Sequence, residues 1–354
     1  MRLDGSVRLA LSGPVTRPRV SLPRGIFASA LALALLTGCS SKPGSDDMQT
    51  RDPATAAAAP AATTAPAGRV LPVSLPVSAL LADAGTGQLA ALDGATLALV
   101  DPTVEPPAVR TVALPAKAAS LAQGTPGQIL VAAPNRILRV DVATASIGEV
   151  AVDGDARSVL RQGDGSLLVG TADGKVRTID PDNKVRQTIS GLASADGLAA
   201  AGDKVAVLDR RQSSLTQVEL GKGRLGLALR AGDGATNLIG DTQGRLIVTD
   251  TADGELLVYT PGPLVLRQRF PVRSSPYALA YDQRSDTVWV TCTQSNEVAG
   301  FDLSTGIPKE VGRYPTVRQP NSVTIDQRTG DLFVGSATGD GLQRIRADER
   351  KRGQ

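Results

Sequence analysis

The chain has 354 residues, 42% of them apolar and 3% aromatic, with two cysteines and no histidine. Without histidine it can build no Ser-His-Asp or Cys-His triad, no imidazole metal site and no His-ligated haem. The formal charge is +3, but five arginines stand against Asp4 in the first 25 residues, so the remainder is slightly acidic and offers no basic footprint for nucleic acid.

The five arginines, Arg2, Arg8, Arg17, Arg19 and Arg24, precede an apolar run from Ile26 to Leu36. That run is too short to cross a bilayer as a mature helix. It ends in Leu36-Thr37-Gly38-Cys39. A basic region, an apolar region and small residues at a cut describe an export signal over 1–38. The Cys placed at the cut resembles the lipobox of bacterial lipoproteins. That resemblance implies a diacylglyceryl group on the Cys39 sulfur, acylation of the new N-terminus, and residence at the cell membrane on its extracytoplasmic face. Two or more acyl chains anchor stably where one does not.

From residue 39 to 68 the composition shifts to Ala, Pro, Thr, Ser and Gly, and Ala54 to Ala67 contains only Ala, Pro and Thr. Little here can bury apolar surface, so the expectation is a disordered, lipid-anchored tether.

Residues 69–345 carry a repeat. Its anchor is the apolar residue opening a central strand: Leu89, Ile129, Leu167, Val205, Leu246, Val288 and Leu332. The spacing of about 38 to 44 residues falls in the range of propeller blades. In the later units an acid precedes each anchor (Asp241, Asp282, Asp326), and Phe270-Pro271 and Tyr314-Pro315 lie in register before the last two acids. Ser166 to Val176 is a hairpin in miniature with Asp173-Gly174 as its turn. The expectation is an all-β, seven-bladed β-propeller of four-stranded antiparallel sheets.

The units run approximately Val77–Leu114, Pro115–Val152, Gly154–Ser190, Leu192–Ala231, Asp233–Val272, Ser274–Thr316 and Arg318–Ile345. The last lacks its outer strand before a charged tail at 346–354. Leu71-Pro72 stands before Asp83 in the register of the later Pro-containing pairs. Arg69–Val73 is therefore expected to complete the final blade and leave no open edge.

A propeller offers a central funnel. Two residues before the first core position of each innermost strand the chain presents Ser78, Ala119, Arg157, Asp196, Thr236, Tyr277 and Asn321, with Asn237 adjacent. One reading has these cap strand starts and bind channel water. The other makes Arg157, Asp196, Asn237, Tyr277 and Asn321 a ligand-binding ring. The loop Asp209-Arg210-Arg211-Gln212 is a second candidate set, read as a solvated turn. With Cys39 committed to lipid, Cys292 has no partner for an intrachain disulfide and reads as a small buried residue. No motif calls for a cofactor, and no catalytic residue or metal site is assigned.

Val288-Trp289-Val290-Thr291, followed by Ser295-Asn296-Glu297-Val298 and Phe301-Asp302, is similar to the YVTN-type propeller repeat; the Gly-His and Trp-Asp signatures of WD repeats are absent. Leu264 to Gln268, Phe270 to Arg273, Pro276-Tyr277, Asp302 to Pro308 and Arg313 to Ser322 resemble the actinobacterial LppL lipoproteins. This resemblance implies an envelope lipoprotein with a propeller domain, and brings no activity or catalytic residues. The favoured function is a monomeric, membrane-anchored binding or scaffolding module for an envelope protein, glycan or peptide, with no nucleic-acid partner. The alternative is a lactonase- or esterase-like enzyme whose funnel holds a divalent cation on oxygens of Asp196, Asn237 and Asn321. A quinoprotein is a weaker third, since aromatic stacking groups are few.

Overall fold

The computed structural model describes residues 48–350. The export signal, Cys39, the tether up to residue 47 and the tail beyond residue 350 lie outside them.

The central strands form because the sequence makes them apolar on both faces. Leu89–Asp93, Leu167–Thr171, Leu246–Asp250, Thr287–Cys292 and Leu332–Ser336 are buried almost throughout. A strand covered on both faces reads as a continuous apolar run rather than an alternation. The outer strands carry the charge: Ala108–Ala113, Val185–Ile189 and Arg224–Arg230 are largely exposed.

The described strands make an all-β propeller of antiparallel sheets. The first sheet is Ala79–Ala82, Leu89–Asp93, Thr96–Asp101 and Ala108–Ala113. The second is six-stranded: Ser120–Gln123, Gln128–Asp141, Ile147–Arg161, Leu167–Thr171, Val176–Ile179 and Val185–Ile189. The third is Gly197–Ala201, Lys204–Asp209, Ser214–Glu219 and Arg224–Arg230. The fourth is Ala235–Gly240, Leu246–Asp250, Glu255–Pro261 and Leu264–Pro271, and the fifth Pro276–Asp282, Thr287–Cys292, Glu297–Asp302 and Lys309–Pro315. The closing sheet is Pro320–Ile325, Leu332–Ser336, Leu342–Ile345 and, as its outer strand, Arg69–Leu71.

Six sheets, not seven, make up the ring among the described residues, which corrects the seven-bladed expectation. The second and third repeats are joined through Ile147–Arg161. This one strand pairs with Gln128–Asp141 over its first half and with Leu167–Thr171 over its second. Gln128–Asp141 is itself folded back: Asn135 has φ 62, and the Val142 N–H reaches the Gly127 carbonyl at 2.9 Å. Here a single bridge, Pro134 to Asp155, lies across an irregularity that leaves residues 152–154 unpaired, and it keeps the two repeats in one sheet.

Closure occurs where the two ends of the chain meet. Arg69, Val70 and Leu71 pair with Arg344, Gln343 and Leu342. Leu71, Val73 and Val77 then join Leu89, Ala91 and Val100 of the first sheet and Phe333 and Leu342 of the closing sheet in one buried cluster. The repeated acids are turn residues. Asp241 Oδ1 accepts the N–H groups of Gln243 (2.9 Å) and Arg245 (2.8 Å), and Asp282 and Asp326 do the same for Arg284 and Arg328.

Of the expected tether, residues 48–68 are described. They hold no regular secondary structure until Gly68, yet they are seated on the ring. The Ala57 and Ala59 N–H groups donate to Ser275 Oγ (3.1 Å) and Gln319 Oε1 (2.7 Å), and Ala59 is buried. Pro and Ala leave the segment too little apolar surface to fold alone, but not too little to dock as an extended strap. The charged tail is docked as far as Arg350, whose guanidinium lies 4.9 Å from the Trp289 ring and 3.4 Å from Asp282.

Candidate functional site

The starts of the inner strands converge on one cavity of about 320 Å³, and all five residues of the expected ring line it: Arg157, Asp196, Asn237, Tyr277 and Asn321. Ser78, Ala119 and Thr236 line it too, as does Arg210.

The backbone fixes these positions first. The N–H groups of Ser78, Ala119 and Asp196 donate to the carbonyls of Leu92, Ala132 and Leu208 on the neighbouring strands, at 2.8 to 2.9 Å. The side chains then divide. Asn237 Nδ2 donates to the Tyr277 carbonyl (2.9 Å), and Thr236 Oγ1 bonds to Thr249 (3.0 Å) and Thr251 (2.6 Å). Asn237 ties the fourth sheet to the fifth, and Thr236 braces the fourth sheet internally. Arg157 is exposed and paired with Asp155 at 2.7 Å. The Asp196 Oδ2 accepts the Ser194 hydroxyl and the Arg210 N–H (2.9 Å). Asn321 Oδ1 accepts from Gln319 Nε2 at 2.9 Å. Asn237 and Thr236 cap and brace, while Arg157, Asp196, Tyr277 and Asn321 keep surface toward the cavity.

The loop 209–212 is more than a solvated turn. Asp209 is fully buried, and its carboxylate accepts the N–H groups of Ala193 (2.7 Å), Ser194 (3.1 Å), Arg211 (3.0 Å) and Gln212 (3.0 Å). That carboxylate locks two loops together and delivers Arg210 to the funnel mouth. Arg210 donates from Nη2 to the Ala54 carbonyl at 2.6 Å, while its Nε is buried with no acceptor among the described residues. The signal for it was present in the sequence as an Asp closing an apolar strand before two arginines. Gln319, the other residue that joins the funnel to the strap, carried no signal in the sequence.

Asp250 repeats the Asp209 arrangement, accepting from Asp233 (3.0 Å) and Gly234 (2.9 Å). Burial, with neighbouring Asp253, raises its pKa. It lies with Asp253 and Glu255 in a carboxylate group, but Arg269 pairs with the latter two and the group is outside the funnel. Cys292 is wholly buried, and burial pushes its thiol up to about 11 despite Arg313 at 3.8 Å.

No family model matches the chain, and no curated protein matches it either. Solved structures do. The WD40 propeller domain of Doa1 superposes with a TM-score of 0.64 at 15% identity, covering 81% of this chain and 98% of that one. A virginiamycin B lyase from Staphylococcus aureus gives 0.64 at 13% identity over 77% and 95%, in a form made catalytically inactive by replacing a histidine with alanine. Hydrazine synthase of Kuenenia stuttgartiensis gives 0.66 at 13% identity over 79% and 98%. At such identities the likeness establishes a β-propeller and nothing finer. Scaffolds and enzymes both appear among these neighbours, so fold alone assigns no activity.

Proposed function

We propose that this chain is an envelope lipoprotein of the LppL kind, anchored through Cys39, whose propeller binds a polar protein, glycan or peptide ligand at the funnel mouth without covalent chemistry. The observation that carries the reading is the convergence of Arg157, Asp196, Arg210, Tyr277 and Asn321 on one cavity. Arg210 brings a guanidinium to that wall, and Asp196 and Asn321 bring oxygens, a mixed donor and acceptor surface suited to a polar ligand. The lipobox supports the anchor. Cys39→Ala is expected to move the protein from the membrane pellet to the soluble fraction with its melting temperature unchanged; pelleting that persists in high salt would refute the anchor.

The virginiamycin lyase is inactivated by losing a histidine, and this chain contains none, so that neighbour's chemistry does not transfer. A cation-dependent enzyme is the second reading. Among the described residues Asp196 is the one carboxylate on the cavity wall, and its Oδ2 already serves Ser194 and Arg210. Such a cation site ordinarily gathers several carboxylate oxygens. Calorimetric titration with Ca²⁺ and Zn²⁺ is expected to give no stoichiometric binding; tight binding abolished by Asp196→Asn would establish the enzyme reading instead.

A further inference from the structure

The strap contacts one end of the ring, and it does so almost wholly through its own backbone. Arg51 N–H donates to the Arg211 carbonyl (2.9 Å), and its guanidinium reaches the Asp233 carbonyl (2.6 Å). The Ala54 carbonyl accepts from Arg210, and the Ala57 N–H donates to Ser275 Oγ. The Gln319 side-chain amide then reads two residues at once: its Nε2 donates to the Ala57 carbonyl (3.0 Å) and its Oε1 accepts the Ala59 N–H (2.7 Å). Asn296 Nδ2 donates to the Pro60 carbonyl at 3.0 Å. An amide side chain that gives and takes a hydrogen bond across a dipeptide acts as a neighbouring strand would.

Two features mark these positions as built for the purpose. Ser275, Asn296 and Gln319 are non-glycine residues held at φ 57, 52 and 53. Such conformations cost free energy and persist where the surroundings enforce them, most often at ligand clamps and active sites. Asn296 is itself buried, and its Oδ1 accepts the Gln319 N–H at 2.9 Å, so one clamp residue sets the next. The second feature is steric. A Cβ on Gly234 would lie 2.8 Å from the Ala54 Cβ, and Ala59 is only 6% exposed. Gly234 leaves space for the Ala54 methyl, and the track encloses the Ala59 methyl almost completely.

We propose that this face is a polypeptide-binding track that reads the backbone of an extended, alanine- and proline-rich segment. In this chain residues 51–60 occupy it, and it opens to a second polypeptide of the same character when they withdraw. The track shares Arg210 with the funnel wall, but Ser275, Asn296 and Gln319 lie beside the funnel, so the proposal requires no funnel ligand. Proline suits the occupant, because it pre-extends the chain and lowers the entropy lost on docking. A segment joined to the ring by a short linker competes at an effective concentration of about millimolar, so a peptide in trans meets a largely filled track in the unaltered protein.

The test uses the full chain and a fluorescent synthetic peptide of the Thr50-to-Thr64 sequence, read by anisotropy. Ala57→Pro with Ala59→Pro removes the strap's own N–H donors and leaves the track intact. The peptide is expected to bind that variant at least tenfold tighter than it binds the unaltered protein. Adding Gln319→Ala, or placing leucine at the Ala59 position of the peptide, should each cancel the gain. Equal binding to both proteins, or binding indifferent to Gln319→Ala, overturns the proposal. Hydrogen exchange on the unaltered chain gives an independent check. The Ala57 and Ala59 amides should exchange at least tenfold more slowly than in the free peptide, and Gln319→Ala should erase the difference; amides as fast as the peptide's also overturn it.

Discussion

The first and last parts of the ring are held together by different side chains. Between the first two sheets the buried cluster is Leu, Ile, Val and Ala alone. From the fourth sheet onward every aromatic of the described ring appears: Tyr259, Phe270, Tyr277, Tyr281, Trp289, Phe301, Tyr314 and Phe333. Phe270 meets Phe301 edge-on at 5.6 Å, and Trp289 lies 5.9 Å from Tyr314. Aliphatic packing is satisfied by many registers of similar volume, whereas a ring fills one shaped space and marks its own position. The region with aromatics keeps its sheets separate, and the aliphatic region contains the two repeats that share one sheet.

The two regions meet at the closing cluster, so the largest effect is expected there. Removing Arg69–Val73 should abolish the single cooperative unfolding transition, because it opens a sheet edge and strips Leu71 and Val73 from contacts with both regions. Leu71→Ala alone should cost about 2–5 kcal/mol in chemical denaturation. A loss confined to the closing sheet, with a separate transition for the rest, would show that the two regions fold independently.

Next in size is the contrast itself. Phe301→Ala, at a fully buried ring, should cost about 3–5 kcal/mol, while Ile137→Val in the shared sheet should cost about 0.5–1.5 kcal/mol. The more telling comparison is Phe301→Leu against Leu92→Phe. If aromatics fix register, the first should broaden the transition as well as lower its midpoint; two equally sharp transitions would reduce the contrast to volume.

Cys292 sits in the aromatic region and gives it a pH signature. Its thiol has an ordinary value of 9.0 and is held at about 11 in the fold by burial. Above pH 9 the unfolded thiol ionises while the folded one stays protonated. The unfolded state therefore binds fewer protons, and stability falls as pH rises from 9 to 11. The loss attributable to this group is about 2–3 kcal/mol, and Cys292→Ala should remove that part of the slope. An unchanged slope in Cys292→Ala would assign the alkaline loss to other groups.

Legibility follows the same division. The repeat was plain from Gly244 to Val334 because Trp289, Phe270 and Tyr314 stood in register, and the closing strand followed from the register of Leu71-Pro72 and the outer strand missing from the last unit. The merger of repeats two and three was not legible, since Ile147–Arg161 contains no proline or aromatic punctuation to say that pairing should stop. At the site, strand-start spacing placed Arg157, Asp196, Asn237, Tyr277 and Asn321 around one cavity. It could not separate Asn237, spent on the Tyr277 carbonyl, from Arg157, which faces solvent, because both meet the same period. The strap was hidden for a different reason. Its contacts are backbone groups of alanine and proline, and composition describes only side chains.

The smallest effect on stability should come from Arg157, and it bears most on function. The guanidinium is exposed, and its one ion pair is with an equally accessible Asp155, so Arg157→Ala should change stability by no more than about 0.5 kcal/mol. Tyr277 on the same rim packs against the buried cluster of Ala278, Trp289 and Val298, so Tyr277→Ala should cost about 1–3 kcal/mol. Measured by thermal denaturation, a pair of values in that order would separate a rim residue free to serve a ligand from one already serving the fold. Equal, large losses would mean that Arg157 and Asp155 brace the junction of the shared sheet, and the funnel's free surface would then reduce to Asp196, Arg210 and Asn321.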